Sequence, residues 1–261
     1  MAVVFGGLTL ALALGVPLGT YLGSVWSWQV IFMAVAASGA IGFLGLLALM
    51  PKDDNDASAQ ANAMDGLKAM FNPRLLAGAG ITVLAYAGSF ALYTYISPIL
   101  LQVTYVTERT SSLLMLGYGV MAAIGNVWGG RLTDRKGADA AVMTVLVGLV
   151  AALLAIWLSA SSLPLMVLLT GLLGALTYAA VPALQARVIG LSHAQAPQAP
   201  AVAAGLNIAG FNGGIALGSL LGGASLEAMG LTSTAWVGAV AVGLGIVWML
   251  WQMRRPAFSA A

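Results

Sequence analysis

Between Thr110 and Ala186 the only charged side chains are Arg131, Asp134, Arg135, Lys136 and Asp139. On each side of this island lies an apolar run long enough to cross a hydrocarbon core, which takes a helix of about 20 apolar residues. Lipid offers backbone N–H and C=O groups no partners, so such runs fold as helices that satisfy themselves. The island must then sit in water between two membrane spans.

The rest of the chain follows the same rule. Residues 1–50 carry no charge. Over the 261 residues, 61% are apolar and 7% charged, against about 25% charged in a soluble domain. So few charges cannot cover the surface of a soluble protein of this size. The net charge of +2 does not point to nucleic acid, because the basic residues form short clusters between apolar segments and no basic face. The chain has no cysteine, which excludes disulfides, thiolate metal ligands and thiol catalysis. The lone His193 cannot build a metal site by itself. We expect no metal and no cofactor. No basic n-region or cleavage pattern marks a signal peptide at the N-terminus.

Breaks between apolar runs place eight spans, at 3–23, 29–50, 75–102, 111–129, 140–158, 164–188, 201–227 and 232–253. This predicts an all-α polytopic membrane protein. The Trp26–Trp28 neighbourhood, which separates the first two spans, suits an interface. A polar linker opens at Pro51 and runs to about Arg74. Pro182 inside the sixth span predicts a kink, since proline removes a backbone hydrogen bond. Of the ten Lys and Arg residues, nine (all but Arg109) fall in the linker, the fourth-to-fifth and sixth-to-seventh connections and the C-terminus. The positive-inside rule then puts both termini in the cytoplasm.

Two spans share a pattern. The first has Gly15-Val16-Pro17-Leu18-Gly19-Thr20-Tyr21-Leu22-Gly23, and the seventh has Gly214-Ile215-Ala216-Leu217-Gly218-Ser219-Leu220-Leu221-Gly222. Glycines four residues apart line one helix face with no side chains, so a neighbouring backbone can approach closely. Tight static packing is the plain reading; a seam about which two bundles rock is the sharper one, which Pro17 favours. Both spans start on the same side, so the repeat is parallel with a period of six helices. An eight-helix chain then holds only the last two helices of the first copy.

These residues resemble the major facilitator superfamily, and within it the drug and sugar efflux antiporters of the arabinose-efflux-permease-like bacterial branch. Gly15–Thr20 resembles the antiporter motif of that family's fifth helix. Gly130-x-x-x-Asp134-Arg135-x-Gly137 resembles the second copy of its cytoplasmic loop motif. Tyr93–Pro98, Pro182–Gln185 and Asn207–Gly214 resemble its seventh, tenth and eleventh helices. The loop motif departs from the family's basic ending, because Ala138-Asp139 follows Gly137.

The resemblance implies helices five to twelve of a twelve-helix fold, with the first four missing and the chain truncated. Residues 1–50 would close the N-terminal bundle, 51–74 would link the halves, 75–255 would form the C-terminal bundle, and 256–261 a tail. It implies a transporter rather than an enzyme, in the bacterial inner membrane. Its activity would be proton-coupled efflux of sugars, nucleosides or drugs by alternating access, with the bilayer, a small-molecule substrate and protons as its partners. The alternative is a truncated, transport-inactive fragment or scaffold.

No span holds a clearly buried charged residue, so no proton-relay acid emerges; the resemblance would place that acid in the missing helices. The third span carries Thr82, Tyr86, Ser89, Tyr93 and Ser97 at steps of three or four, with Phe90 beside them. Such a stripe either hydrogen-bonds neighbouring helices or lines a cavity, where tyrosines offer flat apolar area plus a hydroxyl. Thr170, Thr177 or Tyr178, and Gln185 make a weaker stripe in the sixth span. The resemblance puts both spans at a central cavity. Asn207 and Asn212 in the seventh span lie about 140° apart around a helix, so only one can face a given neighbour; we take Asn207 as the cavity candidate. Asn126 is expected to bond across to the fifth span or the loop. The loop of Gly130, Arg131, Asp134, Arg135 and Gly137 is at least a solvated, topology-setting turn. The resemblance implies a gate, with Asp134 at the positive N-terminal end of the first span, near residues 1–6.

Overall fold

The computed structural model describes residues 27–49, 70–195 and 200–255. Every element in them is helical: α1 (Trp28–Leu49), α2 (Pro73–Tyr93), α3 (Ile96–Gln102), α4 (Glu108–Lys136), α5 (Ala138–Ser159), α6 (Leu163–Gln195), α7 (Pro200–Met229) and α8 (Ser233–Met253). Taking α2 and α3 as one crossing, seven stretches among the described residues are long and apolar enough to span a membrane. The expected first span, with Gly15, Pro17, Gly19 and Gly23, lies outside the described residues. So does most of the linker.

Local chemistry sets the helix ends. Asn72 caps α2, its Oδ1 accepting the N–H of Arg74 at 2.9 Å and of Leu75 at 3.4 Å, with Pro73 in the first turn. Proline suits that position, where an N–H would lack a partner anyway. The third span, expected as one helix over 75–102, is broken at Thr94–Tyr95. Pro98 accounts for the position, since a proline ring crowds the carbonyl four residues earlier, which is that of Thr94, and offers it no N–H. The chain tightens there, with the Tyr95 N–H donating to Leu92 O at 2.9 Å.

The charged island is not a loop. α4 runs through it to Lys136, with Glu108 in its first turn and Arg135 and Lys136 in its last, a charge order that suits the helix dipole. One residue, Gly137 at φ 80°, then turns the chain into α5; a positive φ is the conformation that glycine adopts most cheaply. α6 continues through Pro182. Aqueous connections are therefore shorter, and helices longer, than apolar runs alone indicate.

Packing among α2 to α8 relies on glycine seams. Gly210, Gly214, Gly218 and Gly222 of α7 lie against the backbone of α2 at Ala79, Val83, Ala87 and Ala91. Both series step by four, so the two helices run parallel in register. A second seam sets Gly125 and Gly129 of α4 on Ala175 and Ala179 of α6, and a third pairs Gly88 of α2 with Gly238 of α8. In lipid, apolar burial gives little reason for helices to associate, so close van der Waals contact carries the assembly. Leu146, Leu149 and Leu153 of α5 and Leu173 of α6 are buried in one hydrophobic core.

The outer surface is apolar, with Val147, Leu158, Leu220 and Val247 all exposed. Trp157 and Trp236 sit together at one end of α5 and α8. Trp248 and Trp251 sit at the other end of α8, where the Arg255 guanidinium lies 4.1 Å over the Trp251 ring. Tryptophan at both ends is the arrangement of membrane–water interfaces. α1 is exposed along most of its length.

Candidate functional site

Three side chains from three helices meet in the interior. Thr82 of α2 donates from Oγ1 to Asn207 Oδ1 of α7 at 2.6 Å, and Asn207 Nδ2 donates to Gln185 Oε1 of α6 at 2.7 Å. All three are buried, Thr82 and Asn207 completely. The adjacent glycine seam makes this possible: Gly210 brings α7 against Ala79 and Thr82. A buried amide left unpaired is costly, so the chain of bonds ties α2, α6 and α7 together at one level. Asn212, on another face of α7, is exposed, and its Nδ2 donates within its own helix to Ile208 O.

From this polar point an aromatic ladder extends. Tyr86 stands edge-on to Phe211 with centroids 4.6 Å apart and stacks on Phe90 at 5.7 Å. Phe90 meets Tyr93 at 5.2 Å, Tyr93 stacks on Tyr118 at 4.5 Å, and Tyr118 meets Tyr178 at 6.4 Å. The ladder crosses from α7 through α2 to α4 and α6. Phe90, Tyr93, Tyr178 and Phe211 remain partly accessible, while Tyr86 and Tyr118 are buried. The Tyr86 hydroxyl donates to Thr177 O at 3.3 Å. The Tyr118 Oη and Thr177 Oγ1 close no hydrogen bond of standard geometry among the described residues. Flat rings alternating with hydroxyls can hold an apolar or sugar-like ring by its faces and edges.

Sequence reasoning missed Phe211 and Tyr118, since each stands alone in its helix and no periodic stripe signals it. Two stripe members take part in neither the polar chain nor the ladder. Ser89 bonds Ala85 O of its own helix at 3.0 Å. Ser97 lies beyond the Thr94 break and pairs with Ser111 at 3.3 Å. Asn126 is buried, but its Nδ2 has no partner among the described residues, so the bond expected from it across to α5 or the island is not made by that nitrogen.

A second polar cluster corrects the expectation that no span buries a charge. Arg187 of α6 is 4% exposed. Its Nε donates to Asp139 Oδ1 at 2.7 Å and its Nη2 to Gln252 Oε1 at 2.9 Å. Gln252 passes the link on, donating from Nε2 to Ala77 O at 2.8 Å. Asp139 thus has a partner, and the departure from the basic loop motif becomes one half of an ion pair. The cluster joins α5, α6, α8 and the first turns of α2. Arg187 follows an apolar run directly, so by sequence it reads as a loop cation; α6 continues past it for two turns. Arg131, Asp134, Arg135 and Gly137 are exposed, and Gly130 is half-buried. Residues 1–6, where the partner of Asp134 was expected, lie outside the described residues.

A helical bundle with an apolar outer surface, and with polar bonds and stacked aromatics across its interior, is the build of a polytopic membrane protein. The family model of the Major Facilitator Superfamily matches residues 1–105 and 79–260. This chain belongs to the Major Facilitator Superfamily. It is 37% identical over 253 residues to an uncharacterized MFS-type transporter, YtbD, of Bacillus subtilis, covering 97% of this chain and 63% of that protein. It is 34% identical over 256 residues to the inner membrane transport protein YdhP of Escherichia coli strain K12, covering 98% and 64%. A further Bacillus subtilis MFS-type transporter, YfhI, is 33% identical over 249 residues, 93% of this chain and 59% of its own length. The chain spans about three-fifths of the length of the relatives it matches.

Proposed function

We propose that these helices belong to a secondary transporter that exports small organic solutes, of sugar, nucleoside or drug type, in exchange for protons. The observation that carries this reading is the Thr82–Asn207–Gln185 chain standing beside the ladder from Phe211 to Tyr178. It offers oriented amide and hydroxyl groups next to flat apolar faces, as a pocket for small organic molecules does. Residues 75–255 would act as one bundle that rocks against another, with 1–50 its last two helices and 51–74 the link. The family repeat makes this a parallel pair of halves. The distribution of Lys and Arg supports cytoplasmic termini in the inner membrane. Asp134 would stabilise one access state by docking on a helix N-terminus of the other half. Coupling requires that protons and solute bind the two states unequally.

The test is solute flux. Reconstituted vesicles receive an imposed pH gradient and a panel of labelled pentoses, nucleosides and aromatic cations. The reading expects gradient-dependent flux of at least one solute, reduced tenfold or more by Asn207→Ala. Equal flux with and without the gradient for every solute contradicts proton-coupled export.

A further inference from the structure

At the end of the bundle that holds the Arg187 cluster, α5, α6 and the end of α8 enclose an open groove of about 860 Å³. Its lower walls are apolar or weakly polar: Ala140, Met143, Thr144 and Val147 of α5 face Ala186 and Gly190 of α6. Thr144 and Val147 are exposed, as is the neighbouring lipid-facing surface. Its upper rim carries Lys136, and Arg135 precedes it in the same turn. On the far side Met253 lines the groove and is followed by Arg254 and Arg255.

Three further features favour a negative group at the rim. The N-cap of α5 is Gly137, which has no side chain to bond the first turn, and the N–H groups of Ala138, Asp139 and Ala140 have no intrahelical acceptor. The one carboxylate in the groove, Asp139, is held by the Arg187 Nε at 2.7 Å, which offsets its charge. Arg187 itself lines the inner wall, and its buried Nη1 has no hydrogen-bond partner among the described residues. Asp134, exposed one turn before Gly137, is the opposing charge nearby, outnumbered by Arg135, Lys136, Arg254 and Arg255.

We propose that this groove seats one anionic phospholipid of the adjoining leaflet. Its phosphate sits at Lys136 and the open N-terminus of α5, and an acyl chain lies along Met143, Thr144 and Val147. A membrane protein's groove at the interface meets lipid before any other ligand, and a basic rim over an apolar floor selects lipid by charge. Juxtamembrane lysines and arginines attract anionic lipid in this manner. The proposal needs only the membrane-spanning fold and not the transport reading, so failure of the flux experiment leaves it standing.

The test uses the purified chain in mixed micelles with defined phosphatidylglycerol, phosphatidylethanolamine or phosphatidylcholine, and native mass spectrometry to count retained lipid. Wild type retains phosphatidylglycerol in preference to the other two. Lys136→Gln lowers its apparent affinity about fivefold, the effect of one cation near the headgroup. Thr144→Trp, which fills the exposed floor without touching the core, removes the preference. Arg109→Gln, at the opposite end, leaves it unchanged. Equal retention of all three lipids overturns the proposal. So does unchanged phosphatidylglycerol retention by Thr144→Trp, or occupancy by free inorganic phosphate in place of lipid.

Discussion

Thr82 Oγ1 lies 2.6 Å from Asn207 Oδ1, although 125 residues separate them in the chain. This bond and its continuation to Gln185 join α2, α7 and α6 through one chain of side chains. Asn207→Leu leaves a hydroxyl and an amide without their partner. Interhelical bonds in membranes average about 0.6 kcal/mol and reach about 1.7 kcal/mol, so the Thr82–Asn207 coupling should fall in that range. A double-mutant cycle with Thr82→Val and Asn207→Leu, read by reversible unfolding in mixed micelles, checks it. A coupling near zero would show that the two side chains are independent.

The α2–α7 seam should be intolerant of size. A Cβ on Gly218 meets the carbonyl of Ala87, whereas a Cβ on Gly243 has open space around it. Overpacking a tight contact costs about 1–3 kcal/mol, and backbone cannot give way as a flexible side chain can. Gly218→Val should therefore lower the thermal midpoint clearly, and Gly243→Val should leave it within error. Equal effects would mean that the seam is not a close contact.

The Arg187 cluster predicts a pattern rather than one number. Removing one partner of a buried ion pair costs about 3–5 kcal/mol when both groups are fully buried. The Asp139 side chain is 34% exposed, so solvent screening makes the cost of Asp139→Asn smaller. Arg187→Met leaves the less buried carboxylate, and Asp139→Asn leaves a cation in the interior; each should lower the midpoint. The double variant Arg187→Met/Asp139→Leu should lie closer to wild type than Asp139→Asn alone, because no charge is left unpaired. An additive loss in the double variant would contradict a paired role.

The helix break also has a readout. Pro98→Ala supplies the N–H that Thr94 O lacks and removes the ring that crowds it. Amide hydrogen exchange at residues 94–98 should slow, as one helix replaces α2 and α3. Unchanged exchange would assign the break to tertiary packing around Tyr95, whose hydroxyl bonds Ser219 O at 3.0 Å.

What the sequence made legible follows from which signals are local. Apolar run length is local, and it finds every crossing among the described residues, although α4 and α6 run on to Lys136 and Gln195, well past the expected 129 and 188. Charge is a weaker guide to where a helix ends. Arg131, Leu132, Arg135 and Lys136 are good helix formers, so α4 carries the island into water and stops only at Gly137. Thr82, Gln185 and Asn207 could be picked out singly as polar residues in apolar helices, but their meeting depends on the register of two glycine seams. Arg187 and Asp139 are 48 residues apart, and nothing in either neighbourhood marks them as a pair. Tyr118 and Phe211 enter the ladder only because Gly174 lets α6 approach Tyr118 and Gly214 lets α7 approach Tyr86. Each signal lies on a partner helix, out of reach of periodicity.

The proposed transport cycle requires above all that the aromatic ladder be reached from each side of the membrane in turn. The chain has no cysteine, so Tyr178→Cys, at a half-buried ladder position, provides a single thiol in the native background. Labelling that thiol with a membrane-impermeant maleimide from either face, with and without an imposed pH gradient, measures access directly. The account predicts labelling from both faces, with the gradient shifting the ratio of the two rates. Labelling from one face alone whatever the gradient, or none from either, would contradict it.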